Sequence, residues 1–375
     1  KMSLSSSLLK HSITTHKQAF IMPLVNLTNL PSFTRLQEEG EEILSIERAK
    51  QQDIRELHIG LLNMMPDAAL EATERQFCRL VGACNQIVQF HVHIFTVEGI
   101  ERGIEAQNHI DSYYESFDKI QQDGLDALII SGANVTHAHL QEEPFWEPLT
   151  EVFIWAKKNV TSILCSCLAT HALVQKCYQI ERTRLTHKRW GVFDHTVLDN
   201  SHPLVSDINT RFDVPHSRFN EQFQTDLEQA GLKVLVASEE AGAHLFVSPD
   251  GFRFVFFQGH PEYDAVSLLK EYKREVNRYI DGELTNYPPL PDNYFNDHCQ
   301  AKLEQYQTHV EAALQHHQIP DAFPEQALFN HLDNTWRDTA KAVFNNWLGK
   351  IYQITHQDRR QALMPGIDPN NPLNL

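Results

Sequence analysis

The chain has 375 residues, enough for one large domain or two with an ample core. Its net charge of −17, from 49 acidic residues against 32 basic ones, argues against a nucleic-acid footprint or a patch for a membrane surface. No apolar run approaches the ~20 residues that a bilayer-spanning helix needs, and six cysteines in this length fit a reducing, cytoplasmic compartment better than a disulfide framework.

Residues 1–21 are rich in Ser, Thr, Lys and His, carry no acid, and lack the apolar core of a secretory signal; they read as a poorly ordered N-terminal extension before Met22-Pro-Leu-Val25. From Leu57 the chain alternates. Leu57–Asn63 reads as a strand, Ala68–Val81 as a helix, and Ile87–Thr96 as a strand with Val88, Phe90, Val92 and Ile94 on alternate positions. Ile110–Gln122 reads as a helix, Leu125–Ile130 as a strand ending at Ser131-Gly-Ala133, and Phe145–Lys158 as a helix. Such a series implies a parallel sheet with helices on both faces, an α/β fold whose ligands sit at the carboxyl ends of the strands.

The fourth unit is Thr161-Ser-Ile-Leu-Cys-Ser-Cys-Leu-Ala-Thr-His-Ala-Leu-Val-Gln175. A short buried-strand pattern passes into a helical one with no Pro or Gly between, so the turn falls on Cys165, Ser166 or Cys167. A cysteine on such a bend, with a helix N-terminus behind it, is a candidate nucleophile; a small buried apolar residue is the plain alternative. The spacing Cys165-x-Cys167 has no second pair at zinc distance, so no metal is expected there. The 21 histidines are scattered and read mostly as solvated, and Cys78 and Cys84 as core.

Beyond Gln175 the pattern changes. Arg182–Trp190 is basic and polar, strands are expected at Gly191–Val197, Leu232–Ala237, His244–Val247 and Arg253–Phe257, and a loop at Asp213–Arg218. Pro249-Asp-Gly251 reads as a hairpin turn in a mixed or antiparallel extension. The last strand leads into Gly259-His-Pro-Glu-Tyr-Asp264, then a helix over Ala265–Ile280. After the Pro288–Pro291 linker come helices at His298–His317 and Glu325–Thr355, then a tail over residues 356–375 that is expected to be loose from Pro365. His260 and Glu262 leave a strand's carboxyl end on the same side, as a base and the carboxylate that orients it would, so a Cys–His–Glu set is the hypothesis.

That grouping resembles the class I glutamine amidotransferase-like (flavodoxin-like) fold and, within it, the homoserine O-succinyltransferase/O-acetyltransferase family. The resemblance covers about residues 22–355. It is carried by Leu61-Leu-Asn-Met-Met-Pro66, Asp123–Ala133, Phe145-Trp146, Trp155–Ser162, Pro215-His-Ser-Arg218, Gly259–Asp264 and Asn345-Asn-Trp-Leu348, in that order. It implies a parallel sheet flanked by helices with a C-terminal helical extension, and an acyl-CoA-dependent O-acylation of L-homoserine in methionine biosynthesis. It also implies no tightly bound cofactor, with acyl-CoA as co-substrate, and a homodimer.

Carried over by position, the resemblance makes Cys167 the nucleophile, His260 the base and Glu262 its orienting carboxylate. It sets Lys188 near the acyl-CoA and Ser217 and Arg274 at the homoserine, where a guanidinium suits the amino acid's carboxylate. Thr136 falls at the position that sorts acyl donors, where Gly goes with succinyl and Glu with acetyl transfer. Threonine is neither, and its lack of a carboxylate favours succinyl-CoA over acetyl-CoA. A second departure is Asp67-Ala-Ala-Leu-Glu-Ala72 after the Met-Met-Pro, where many relatives have a Lys-rich turn. A glutamine amidotransferase would use the same three residues, but Cys165 and Ala169 stand where its Gly-x-Cys-x-Gly elbow has glycines. An inactive binding relative would show a broken triad, and here all three residues are present.

Overall fold

Strands covered by helices on both faces must be apolar at nearly every position, and the runs from Leu57 onward meet that demand. The computed structural model of the chain describes residues 21–51, 54–84 and 88–375. Its strands are β1 (Ile21–Asn26), β2 (Glu42–Ser45), β3 (Glu56–Met64), β4 (Gln89–Phe95), β5 (Ala127–Ala133), β6 (Ser162–Ser166), β7 (Thr183–Val197), β8 (Arg211–Glu221), β9 (Lys233–Ser238), β10 (Gly242–Val247) and β11 (Phe254–Phe257). They form one sheet in the order β2-β1-β4-β3-β5-β6-β11-β10-β9-β7-β8. Neighbours from β2 to β11 run parallel, and those from β11 to β8 run antiparallel.

Side chains alternate across this sheet. Leu57, Ile59 and Leu61 of β3 face a core shared with helices Pro31–Glu38, Leu70–Gly82 and Arg337–Ile354. Leu62 and Met64 face the opposite core, shared with helices Trp146–Asn159 and Leu168–Tyr178. A third apolar cluster joins Trp190 and Val192 of β7 to helices Ser267–Ile280 and Asp297–Gln315. The α/β expectation holds, and so does the hairpin at Pro249–Gly251, where the Gly251 N–H donates to the Ser248 carbonyl at 2.8 Å.

Several boundaries differ from the sequence reading. The helix expected over 110–122 is two, Ile104–Tyr113 and Phe117–Asp123, because Ser116 caps the second through the Lys119 N–H. Likewise 325–355 divides into Glu325–Phe329 and Arg337–Ile354. The basic stretch 183–190 belongs to β7, and the expected loop 213–218 lies within β8, where Pro215 is tolerated because β8 is an edge strand. β1 and β2 had no sequence signal strong enough to be read. The expectation for 1–21 lies outside the described residues except for Ile21, which opens β1. The tail is not loose: Leu363, Ile367 and Leu373 pack on the core beneath Arg337–Ile354, and Thr355 bridges to Leu363.

Candidate active site

β6 passes into the helix Leu168–Tyr178 through Cys167 alone, which takes φ 52° and ψ −108°. A side chain with a Cβ is costly there, by about 1–3 kcal/mol, and such strain persists only when neighbours fix it. Here the Cys167 N–H donates to the Phe257 carbonyl at 2.8 Å. The Thr170 hydroxyl donates to the same carbonyl at 2.8 Å and to the Cys165 carbonyl at 3.0 Å. The bend turns the Cys167 side chain into a cavity of about 400 Å³. Cys165 is fully buried in the apolar core, and burial pushes its thiol well above the ordinary range. The sequence left the two cysteines open; only Cys167 reaches the cavity.

β11 runs parallel to β6, with Phe257 beside Ser166, so the segment after it arrives at the same edge. His260 is held by its own N–H, which donates to the Pro215 carbonyl at 2.7 Å. Its ring donates from Nδ1 to Glu262 Oε1 at 2.8 Å and stacks on Tyr263 with centroids 4.3 Å apart. The other ring nitrogen is left for the Cys167 thiol, its remaining hydrogen-bond partner. Burial alone would push this imidazole down, but the Glu262 carboxylate and then Cys167 outweigh it and hold His260 well above the ordinary histidine value. Gly259 allows the close fit: a Cβ there would stand 2.7 Å from Val214 Cγ1 and 2.8 Å from His216 Nε2.

Behind this strand His195, His216 and His244 are buried together, against the expectation that the histidines are mostly solvated. Arg218 Nε donates to His216 Nδ1 at 3.2 Å, and His216 Nε2 stands 3.2 Å from His195 Nε2. The Gly259 N–H donates to His244 Nδ1 at 3.3 Å. Burial lowers all three, His195 to about 4 and the others further. Groups whose folded value lies below the unfolded one add stability that is complete above the unfolded value and is lost as pH falls toward the folded one. The melting temperature should therefore fall as pH drops from about 6.5 to about 4, with His195 alone contributing on the order of 3 kcal/mol. Melting curves that stay flat across that window would contradict the buried neutral trio.

The remaining predicted positions divide. Ser217 and Arg274 line the cavity with Cys167 and His260. Lys188 does not; its ammonium lies 3.4 Å from Glu271 Oε2 and 4.1 Å from the centre of the Trp190 ring. Thr136 is exposed outside the cavity wall, and the buried Glu143 carboxylate accepts from its N–H and that of His137, both at 2.7 Å. The turn after Pro66 does carry a cation, supplied from elsewhere in the chain: Arg102 donates to the Met65 carbonyl at 2.6 Å and to Asp67 at 3.2 Å. The Cys167 N–H is already taken by the Phe257 carbonyl, which leaves an oxyanion beside this sulfur to other N–H groups, among them those at the start of Leu168–Tyr178.

Sequence reasoning missed Glu271. It accepts from the Ser217 hydroxyl (2.6 Å), Trp190 Nε1 (2.9 Å), the Tyr263 hydroxyl (2.6 Å) and Lys188, and lines the cavity. Burial would raise its carboxyl, yet Lys188 and the hydroxyl donors bring it below the usual range. Its four donors come from β7, β8 and the segment after β11, so no local spacing announces it. Lys270, four residues before Arg274 on the same helix face, is a further cation on the cavity wall.

The family model for homoserine O-succinyltransferase matches residues 23–357. A homoserine O-succinyltransferase of Methylobacter tundripaludum is 70% identical over 94% of this chain and 100% of its own length. One of Methylococcus capsulatus is 66% identical with the same coverage. Among solved structures, a glutamine amidotransferase of Methylobacillus flagellatus is similar at a TM-score of 0.42 and 11% identity, over 79% of this chain and 95% of that one, from which nothing about the chemistry follows. With a match of that extent and relatives of that identity, the chain belongs to the homoserine O-succinyltransferase family.

Proposed function

We propose that the protein transfers a succinyl group from succinyl-CoA to the hydroxyl of L-homoserine through an acyl-enzyme on Cys167, in methionine biosynthesis. The observation that carries this is the strained Cys167 bend, which faces the His260–Glu262 pair in one cavity walled by Ser217 and Arg274. The names of the relatives at 70% and 66% identity support the succinyl donor and the homoserine acceptor.

In the first half-reaction His260 takes the thiol proton, sulfur attacks the thioester carbon, and the C–S bond to CoA breaks. The imidazolium, stabilised by Glu262, returns the proton to the departing thiolate. The N–H groups at the start of Leu168–Tyr178 are the available donors for the oxyanion. In the second half-reaction His260 takes the homoserine hydroxyl proton, the alkoxide oxygen bonds to the acyl carbon, and the bond to Cys167 sulfur breaks, with the proton passing back to the thiol. Arg274 grips the amino-acid carboxylate and Ser217 orients the acceptor, while Lys270 and Arg274 give the wall a positive face for the acyl carboxylate. Incubation with succinyl-CoA alone should leave a succinyl adduct on Cys167 by peptide mass spectrometry, discharged when homoserine is added. No adduct under conditions of turnover would overturn the mechanism, and an adduct from acetyl-CoA alone would overturn the donor.

A further inference from the structure

At the amino-terminal ends of the parallel strands, away from the Cys167 cavity, β3 and β4 begin with the sequences Glu56-Leu-His58 and Gln89-Phe-His91-Val-His93. Side chains two apart share a face, and the parallel register sets His58 beside His91. One carboxylate and two imidazoles therefore converge. Glu56, His58 and His91 each offer a ligand atom, and these atoms all lie within 4.8 Å of one another. His58 Nε2 is 3.3 Å from Glu56 Oε2, and His91 Nε2 is 3.8 Å from Glu56 Oε1. Ligands about 2.0–2.1 Å from a tetrahedral metal stand roughly 3.3 Å apart; the His58–Glu56 spacing is already there, and the wider spacings close by side-chain rotation.

Two further observations point to a cation. His91 is 8% exposed, and its Nε2 is buried with no hydrogen-bond partner. Such an orphan nitrogen is costly unless something occupies its lone pair or accepts its proton. Second, a relay fixes the neighbouring ring: Glu115 accepts from His93 Nδ1 at 2.7 Å, and His93 Nε2 stands 2.8 Å from His58 Nδ1. In the tautomer in which His93 Nε2 accepts from His58 Nδ1, the His58 Nε2 lone pair is turned onto the Glu56 carboxylate. A carboxylate–histidine relay behind a ligating imidazole is the usual support of a metal site.

We propose that Glu56, His58 and His91 form a binding site for a divalent transition metal of the zinc class. The donor set of two imidazoles and one carboxylate suits zinc, cobalt or nickel and not magnesium or calcium. A cavity of about 610 Å³ lined by Glu56 and His58 gives the ion a way in and room for a water as fourth ligand. Arg359, on the same cavity, opposes the ion; Glu56, Asp126 and Asp358 offset it. Eight residues of β3 separate Glu56 from Met64, a distance of roughly 26 Å, so the site is structural and clasps two strand starts away from the chemistry.

The full-length protein, stripped with EDTA, is titrated with Zn²⁺ by calorimetry and with Co²⁺ by absorption. One equivalent should bind, with ligand-field bands and no thiolate charge-transfer band, and should raise the melting temperature. Glu56→Gln, at a half-exposed residue, should bind about ten-fold or more weakly and keep its transferase activity; His91→Ala should do the same if it folds. No bound metal, a thiolate band marking a cysteine as the ligand, or an equivalent that Glu56→Gln retains unchanged would each overturn the site.

Discussion

Replacing Cys167 by alanine should lower kcat/KM by about 10⁴-fold or more and leave the protein folded. Alanine keeps the Cβ and so meets the same strain at φ 52°; the substitution removes only the sulfur. The neighbouring Cys165 cannot take its place, because it is sealed in the core with its thiol pushed up by burial. Cys165→Ala is the matched control: it should cost about 1 kcal/mol of packing and retain activity. Steady-state rates with succinyl-CoA and homoserine, beside melting curves for both variants, make the comparison. If Cys167→Ala kept more than a hundredth of the wild-type rate, the acyl-enzyme would have to be abandoned.

Glu271→Ala should be the most destabilising single change at the site, by about 3–5 kcal/mol, because it leaves the Lys188 ammonium largely buried without its hydrogen-bonded carboxylate and with only the Glu275 charge to offset it. Three neutral donors, from Ser217, Trp190 and Tyr263, lose their acceptor in the same step. Ser217 and Tyr263 both touch the cavity, so the KM for homoserine should rise as well. Glu271→Gln keeps an acceptor oxygen and should fall between wild type and alanine. The midpoints of urea unfolding for the two variants test this order. An alanine variant as stable as wild type would mean that the carboxylate holds nothing together.

The parallel half of the fold was legible because burial on both faces forces long apolar runs, as at Leu57–Leu62 and Leu128–Ile130. The antiparallel half was less so. At Thr183–Arg189 the exposed ribbon has no apolar alternation to read, and Pro215 argued for a loop where an edge position excuses it. The three residues of the Cys–His–Glu set could be proposed because each leaves a strand end with a recognisable neighbour, Leu168-Ala169 or Gly259 and Pro261. The assembly around Glu271 could not, since its partners lie 8 to 83 residues away and only the fold unites them. Lys188 came only from the resemblance, and no local pattern announces its contacts with Glu271 and the face of Trp190.

The helix Arg337–Ile354 is the last long element of the chain, and it covers one face of the parallel sheet. Phe344 stacks on Phe257 at 6.2 Å, and Trp347 Nε1 donates to Ser162 at 2.9 Å from deep in that core. During synthesis Leu70–Gly82 is in place early to cover β1, β3 and β4. The part of the face around Phe257 and Ser162 has to wait for Phe344 and Trp347 to leave the ribosome. Any chain that stops short of residue 337 therefore carries an adhesive patch where that wall belongs.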